Sequence, residues 1–280
     1  MRKIRVSTGV ALALLFGILL LIAVVPLLPT YDPYGQNLSA SLLPPGGVSF
    51  DGRMYLLGTD TLGRDMVSRL ALAGQVSLFI GFSAVIVSLV IGVALGLLAG
   101  FFRGWVENVI MGIADLQLSI PRVLLLIAVA AILGSGVFKL AILLGLTSWV
   151  AYGRVARAMA LSLREREFVL SATTQGATAT WNIRKHLLPN VLPQMLIVGS
   201  YELGQIIVLE SALSYLGLGV QPPLPSWGLM VSEGQTYLEL DPWLSVLPSI
   251  ALFMLVAGVQ IYSQTFTSEN DMSAEVVKAS

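Results

Sequence analysis

The sequence predicts an all-α integral membrane protein with six spans, and three observations predict it. The 280 residues are 56% hydrophobic and only 11% charged, where a soluble domain averages about 25% charged; mean hydropathy is +0.83. Residues 6–31, 70–102 and 242–268 form uncharged runs of 26, 33 and 27 residues, each long enough to cross the ~30 Å of bilayer hydrocarbon as a helix. Basic residues, finally, gather on one side of these runs.

Composition also removes classes of function. The 16 basic residues balance 16 acidic ones, so no bulk charge draws the chain to nucleic acid. There is no cysteine and a single histidine, which excludes a disulfide framework, a thiol nucleophile and a Cys metal site and argues against a His-based one. No Gly-x-x-x-x-Gly-Lys-Ser/Thr phosphate loop and no Ser/His/Asp trio stand in the sequence. The expectation is a chain that is not an enzyme and holds no cofactor of its own.

The first run follows Arg2, Lys3 and Arg5. Its apolar stretch exceeds that of a signal peptide, and its exit through Pro26 and Pro29 offers no small-x-small cleavage site, so an uncleaved first span is expected. Residues 30–69 form the one long polar segment on the far side. Pro33, Pro44, Pro45 and Gly46-Gly47 make its first half irregular, whereas residues 57–69 read as a short solvated helix. Asp60–Arg64 and Asp65–Arg69 are acid-before-base pairs at i,i+4 there.

The second run carries Gly92, Gly96 and Gly100 at intervals of four, a small-residue edge that lets helices approach closely. Residues 103–108 read as a turn. The third run begins at Val109 and holds Asp115 and Arg122, charges that are costly at bilayer depth. Seven apart, they share one face of a helix projecting beyond the lipid before entering it; the alternative places them on a pore. Pro121 is expected to kink this helix. The fourth run starts at Leu140 and ends among Arg154 and Arg157. The fifth starts near Asn190 and contains Glu202 and Glu210. It breaks at Gly217 and Gly219 into a proline-rich loop, with Trp227 read as an interfacial anchor. Residues 242–268 are the sixth span, and an acidic tail follows.

Between the fourth and fifth spans lies a basic segment with a helix–break–helix pattern. Residues 164–175 read as a helix, Gly176 turns the chain at no steric cost, and residues 177–187 read as a second helix, which Pro189 ends while opening the next apolar run at its first turn. Structureless connectors of this length are uncommon unless functional. The basic residues divide as eleven (Arg2, Lys3, Arg5, Arg103, Arg154, Arg157, Arg164, Arg166, Arg184, Lys185, Lys278) against four (Arg53, Arg64, Arg69, Lys139), with Arg122 left inside a helix. That imbalance puts both termini and the loop in the cytoplasm.

Three blocks carry a family resemblance. Ala172, Gly176, Leu188 and Pro189 fall on the EAA loop of ATP-binding-cassette importer permeases, although the motif's Glu is Leu170 here and its first Ala is Ser171. His186 before Leu-Leu-Pro-Asn190, the Gly58-Thr-Asp-x-x-Gly-Arg-Asp65 segment, and Glu210 with Leu213-Ser-Tyr-Leu-Gly-Leu-Gly-Val-Gln-Pro-Pro-Leu-Pro-Ser-Trp-Gly228 resemble the dipeptide, oligopeptide and nickel branch. Gln75 departs from that branch's usual Arg. The resemblance implies a type I importer fold in one transmembrane permease domain over residues 1–280, with an extracytoplasmic segment at 30–69 and a cytoplasmic coupling loop at 162–189. It further implies that Glu167, Ala172, Gln175, Gly176, Ala177, His186, Leu188 and Pro189 couple to the ATPase, and that Gly58, Thr59, Asp60, Gly63, Arg64 and Asp65 form an extracytoplasmic motif. The implied partners are a second homologous permease, two ATPase subunits that bind the ATP, an extracytoplasmic solute-binding protein and the bilayer of a bacterial or archaeal cytoplasmic membrane. Cargo is expected to be di- or oligopeptide, with nickel chelates and oligosaccharides as alternatives. Glu202, Glu210 and Asp115 are candidates for the translocation path, and a rival from another class is a proton-coupled secondary transporter using the same three acids as a relay.

Overall fold

A computed structural model describes the backbone of residues 2–279 and the side chains of residues 8–264. The basic side chains of Arg2, Lys3, Arg5 and Lys278, and those of the acidic tail, lie outside the described residues. The described chain is mostly helical, because hydrocarbon leaves each span no partner for its amides but its own carbonyls. Helix α1 (Arg2–Val24) is followed by an irregular segment bearing a two-stranded antiparallel hairpin, β1 (Gly47–Val48) and β2 (Met54–Tyr55). Then come α2 (Met66–Phe102), α3 (Gly104–Ser119), α4 (Arg122–Leu133) and α5 (Val137–Leu163). The loop helices α6 (Glu167–Thr174) and α7 (Ala179–Asn182) precede α8 (Leu188–Tyr215), α9 (Trp227–Gln235) and α10 (Trp243–Ala279).

Five helices are long and apolar enough to cross a membrane. The third expected span is instead a broken pair: α3 and α4 meet at 91°, and counting the pair as one gives up to six. Pro121 therefore does more than kink the helix. Asp115 and Arg122, expected on a common face, stand on two helices pointing in different directions. The expected turn at 103–108 shrinks to Arg103, whose φ of +56° redirects the chain, and α3 begins at once.

Helix α2 packs closely along α5. A Cβ on Gly92 would lie 2.5 Å from the Trp149 carbonyl oxygen, and one on Gly96 only 2.4 Å from that of Gly153. The glycine edge thus brings two backbones into contact where any side chain would separate them. A first core cluster joins α1, the start of α2, α9 and α10 through Ile22, Leu70, Trp227 and Leu255. A second fills the space among α2, α4, α5 and α8 around Ile80, Leu126, Leu144 and Ile206. A third seats the loop on α2, α5 and α8 through Val169, Leu187, Met195 and Tyr152. Outward faces are apolar as well: Phe16, Ile86, Leu196 and Phe253 are exposed, as lipid-facing positions should be.

Candidate functional site

The loop between α5 and α8 departs from its expected boundaries while keeping its shape. Residues 164–166 form a turn, and α6 starts at Glu167. Gly176 takes φ +89°, which glycine adopts without strain, and a Cβ there would touch nothing within 4 Å. Thr178 then caps α7, its Oγ1 accepting from the Trp181 amide at 3.3 Å. The helix end expected before Pro189 is absent, while its expected place in the first turn of the next run holds. A π-helical turn over Ile183–Leu187 carries the backbone straight into α8, and Pro189 sits in that helix's first turn, where it has no amide to lose.

Two buried residues anchor the loop, Val169 and Leu187, while Asn182 Nδ2 donates to Thr173 Oγ1 at 3.0 Å across the turn. Its outer surface is unexpectedly apolar. Phe168, Leu170 and Trp181 are 45%, 52% and 46% exposed. His186 stands between Phe168 and Trp181, with ring centroids at 5.4 and 4.9 Å. An open groove of about 610 Å³ runs beside them, lined by Phe168, Ala172, Gln175, Gly176, Ala177 and Trp181. Glu167 lies in the first turn of α6, and Leu188 opens α8 beside Pro189.

On the opposite side, residues 57–65 are not the solvated helix expected. They fold as tight turns because Gly58 and Gly63 take φ +78° and +70°, and helix begins only after Asp65, whose carboxylate caps α2 by accepting from the Ser68 amide at 2.9 Å. Thr59 is buried, its hydroxyl donating to the Ala40 carbonyl. Asp60 is buried too. It accepts from Arg64 Nε at 2.6 Å and from Arg69 Nη1. Arg69 does not pair with Asp65; its other arm reaches Glu233 on α9 at 2.9 Å. The motif is therefore a largely buried ion network between residues 57–65, α2 and α9.

The three acids expected along a path have different surroundings. Asp115 is exposed and pairs with Arg154 at 2.6 Å, near the end of α5 that leads into the loop. Glu210 is fully buried, accepting from the hydroxyls of Ser77 at 2.9 Å, Ser214 at 2.8 Å and Ser211 at 3.3 Å. Glu202 faces Arg122 at 3.8 Å, its pairing with α4 set by the bend at Pro121. Trp227, expected at the interface, is wholly buried: its Nε1 donates to the Leu70 carbonyl at 3.1 Å. A proline-rich neighbourhood hid that partner, since the accepting carbonyl lies 157 residues away.

The sequence profile of the binding-protein-dependent transport system inner membrane component family matches residues 92–266, well over half of the chain. The chain belongs to that family. This permease is 35% identical over 257 residues to the di/tripeptide transport system permease protein DppC of Pseudomonas aeruginosa, covering 91% of this chain and 85% of that one. It is 33% identical over 252 residues to the oligopeptide transport system permease protein OppC of Bacillus subtilis, covering 90% and 81%. It is 36% identical over 207 residues to the glutathione transport system permease protein GsiD of Pectobacterium atrosepticum, covering 74% and 69%. The relatives are transport permeases rather than enzymes. The fold is shared with the inward-facing MetNI methionine ABC transporter, at a TM-score of 0.57 and 18% identity over 73% of this permease and 97% of that chain. The protein is a multi-pass membrane permease subunit of an ABC importer.

Sequence reasoning passed over Glu233, Phe168 and Trp181. Glu233 carried no local signal, being one acid in a polar stretch. The aromatic pair did carry one, for two large apolar side chains in an otherwise polar loop ask what covers them.

Proposed function

We propose that this permease forms half of a passage for di- or oligopeptides and takes its energy from separate ATPase subunits through the loop around Gly176. The observation that carries the proposal is the exposed apolar surface of Phe168, Leu170 and Trp181 beside an open groove. Phe168 and Leu170 stand on α6 and Trp181 on α7, with exposed Arg184 and Lys185 on the π-turn that follows. An exposed apolar surface of this kind marks a protein contact. The positive-inside count supports a cytoplasmic position for it, with both termini on the same side. Peptide cargo is supported by the relatives, which are named for di/tripeptide, oligopeptide and glutathione transport.

The assembly we infer contains a second, homologous permease, two ATPases below and a solute-binding protein above that delivers cargo. Glu167, Ala172, Gln175, Gly176, Ala177, His186, Leu188 and Pro189 belong to the ATPase contact. ATP-driven closure draws the two permeases' loops together. Because the π-turn makes α7 and α8 continuous, displacement of the loop tilts α8 and changes which face of the passage is open. The extracytoplasmic network of Asp60, Arg64 and Arg69 braces the outer ends of α2 and α9.

The test is uptake of a labelled dipeptide by vesicles containing the complete complex. Uptake is expected to require ATP and the ATPase subunits. Uptake that persists without those subunits and collapses with the proton gradient would overturn the reading.

A further inference from the structure

Arg122 is the first residue of α4, immediately after the 91° bend. Its partners fix its depth, for Ser148 lies near the middle of α5 and Glu202 near the middle of α8, both inside apolar spans. One third of its side chain is exposed (33%). A guanidinium at that depth faces a water-filled passage or a partner chain rather than lipid.

The polar contacts here are incomplete. Arg122 Nη2 donates to Ser148 Oγ, while Nη1 stands 3.8 Å from Glu202 Oε2, in ion-pairing range but beyond a hydrogen bond. The Glu202 side chain is only 9% exposed, and its Oε2 has no hydrogen-bond partner among the described residues; nor has the buried Arg122 Nε. Pro121, at the N-cap of α4, supplies no side-chain acceptor, so the positive end of that helix is open. The other two acids differ: Asp115 has Arg154, and Glu210 has its serines. Glu202 and Arg122 keep unfilled hydrogen-bonding capacity of opposite sign, side by side at mid-span.

We propose that Arg122 and Glu202 form a station on the passage for a zwitterionic peptide. The Arg122 fork and the start of α4 take the terminal carboxylate, and Glu202, released from Arg122, takes the terminal ammonium. With the site empty, each ion keeps the other from standing alone. Exchange for ligand breaks no hydrogen bond between them, because the resting pair makes none. A discontinuous helix whose N-terminus meets an anionic group near the membrane midplane is an established solution for moving charged solutes. The inference rests on the peptide-importer reading above.

The test uses the complete complex in vesicles, with the binding protein saturated in turn by a free dipeptide, its C-terminal amide and its N-acetyl form. Arg122→Gln is expected to slow the free dipeptide about tenfold and the amide by less than about twofold. Glu202→Gln is expected to show the same split between the free and N-acetyl forms. Equal slowing of all three peptides would mean that the pair is only a brace, and would overturn the proposal. Should a neutral variant fail to assemble, Arg122→Lys and Glu202→Asp keep the charge while altering the geometry; an unchanged ratio between peptides in those variants overturns it equally. A wild-type complex that moves none of the three peptides would remove the peptide-importer reading itself.

Discussion

Arg69 and Glu233 lie 164 residues apart in the chain and meet at 2.9 Å, the Arg69 Nη2 donating to the Glu233 carboxylate. Through Nη1 the same guanidinium reaches Asp60, which also accepts from Arg64. One buried carboxylate therefore holds two arginines, and one of those arginines fastens the start of α2 to α9. The segment that resembles a family motif in sequence is a clamp between the first and last thirds of the chain.

Removing Asp60 tests that clamp. Asp60→Ala leaves two buried guanidinium groups short of a counter-ion and is expected to destabilise the purified protein by about 3–5 kcal/mol, measured as a fall in its unfolding temperature in detergent. Glu165→Ala removes an exposed partner of Arg103 at 3.8 Å and should change stability by less than about 0.5 kcal/mol. Equal shifts in the two variants would refute the clamp.

The glycine edge of α2 has an internal control. A Cβ on Gly96 would stand 2.4 Å from the Gly153 carbonyl oxygen and 2.7 Å from Ala156 Cβ, both belonging to a packed helix, whereas one on Gly112 would meet nothing within 4 Å. Gly96→Ala should therefore cost about 1–3 kcal/mol through overpacking. Gly112→Ala should be neutral or stabilise by up to about 1 kcal/mol, because alanine is the better helix former. Thermal unfolding of the two variants side by side decides the matter.

What the sequence made legible follows from where the constraints are local. A span must be apolar along its whole length, so the runs at 70–102 and 242–268 disclose α2 and α10. The small-residue spacing of Gly92, Gly96 and Gly100 is likewise a property of one helix. Misreadings arose where a distant partner decided the outcome. Charge spacing suggested a helix over 57–69, but Asp60 and Arg69 are committed to a network closed by Glu233, and the positive φ of Gly58 and Gly63 overrides the i,i+4 pattern. Those two glycines were the available warning. Trp227 resembled an interfacial anchor until its indole found the Leu70 carbonyl. Pro189 does stand in the first turn of the next span, but it ends no helix, because the π-turn before it lets the backbone run on. Of the candidate site residues, the Gly176 turn was readable in advance because it needs only glycine's own freedom; the Arg122–Glu202 pairing was not, because it depends on the angle at Pro121.

Gly176 separates backbone geometry from steric fit. Nothing surrounds it, so a larger side chain collides with no neighbour; the cost lies in its φ of +89°, which a β-branched residue resists by about 1–2 kcal/mol or more. Gly176→Val is expected to reach the membrane in normal amount and to bury its spans normally, while ATP-dependent uptake falls below detection. Uptake at the wild-type rate in that variant would remove the turn from the coupling mechanism.

Glu210 decides between an ATP-driven passage and a proton relay. A relay acid must gain and lose a proton in each cycle and must reach water or the next acid. Glu210 instead accepts from three serine hydroxyls, Ser77 on α2 and Ser211 and Ser214 on its own helix, and is entirely buried. That arrangement suits a fixed brace between α2 and α8. In Glu210→Gln an amide oxygen still accepts and the hydroxyls can rotate to meet the new donors, so stability should drop by about 1–2 kcal/mol with uptake retained. In Glu210→Ala the three hydroxyls lose their common acceptor and the loss should be larger, with less protein assembled. Wild-type vesicles supplied with ATP and treated with a protonophore should continue uptake. Uptake that stops under the protonophore while ATP remains, together with a Glu210→Gln variant that folds but does not transport, would place this acid in a relay.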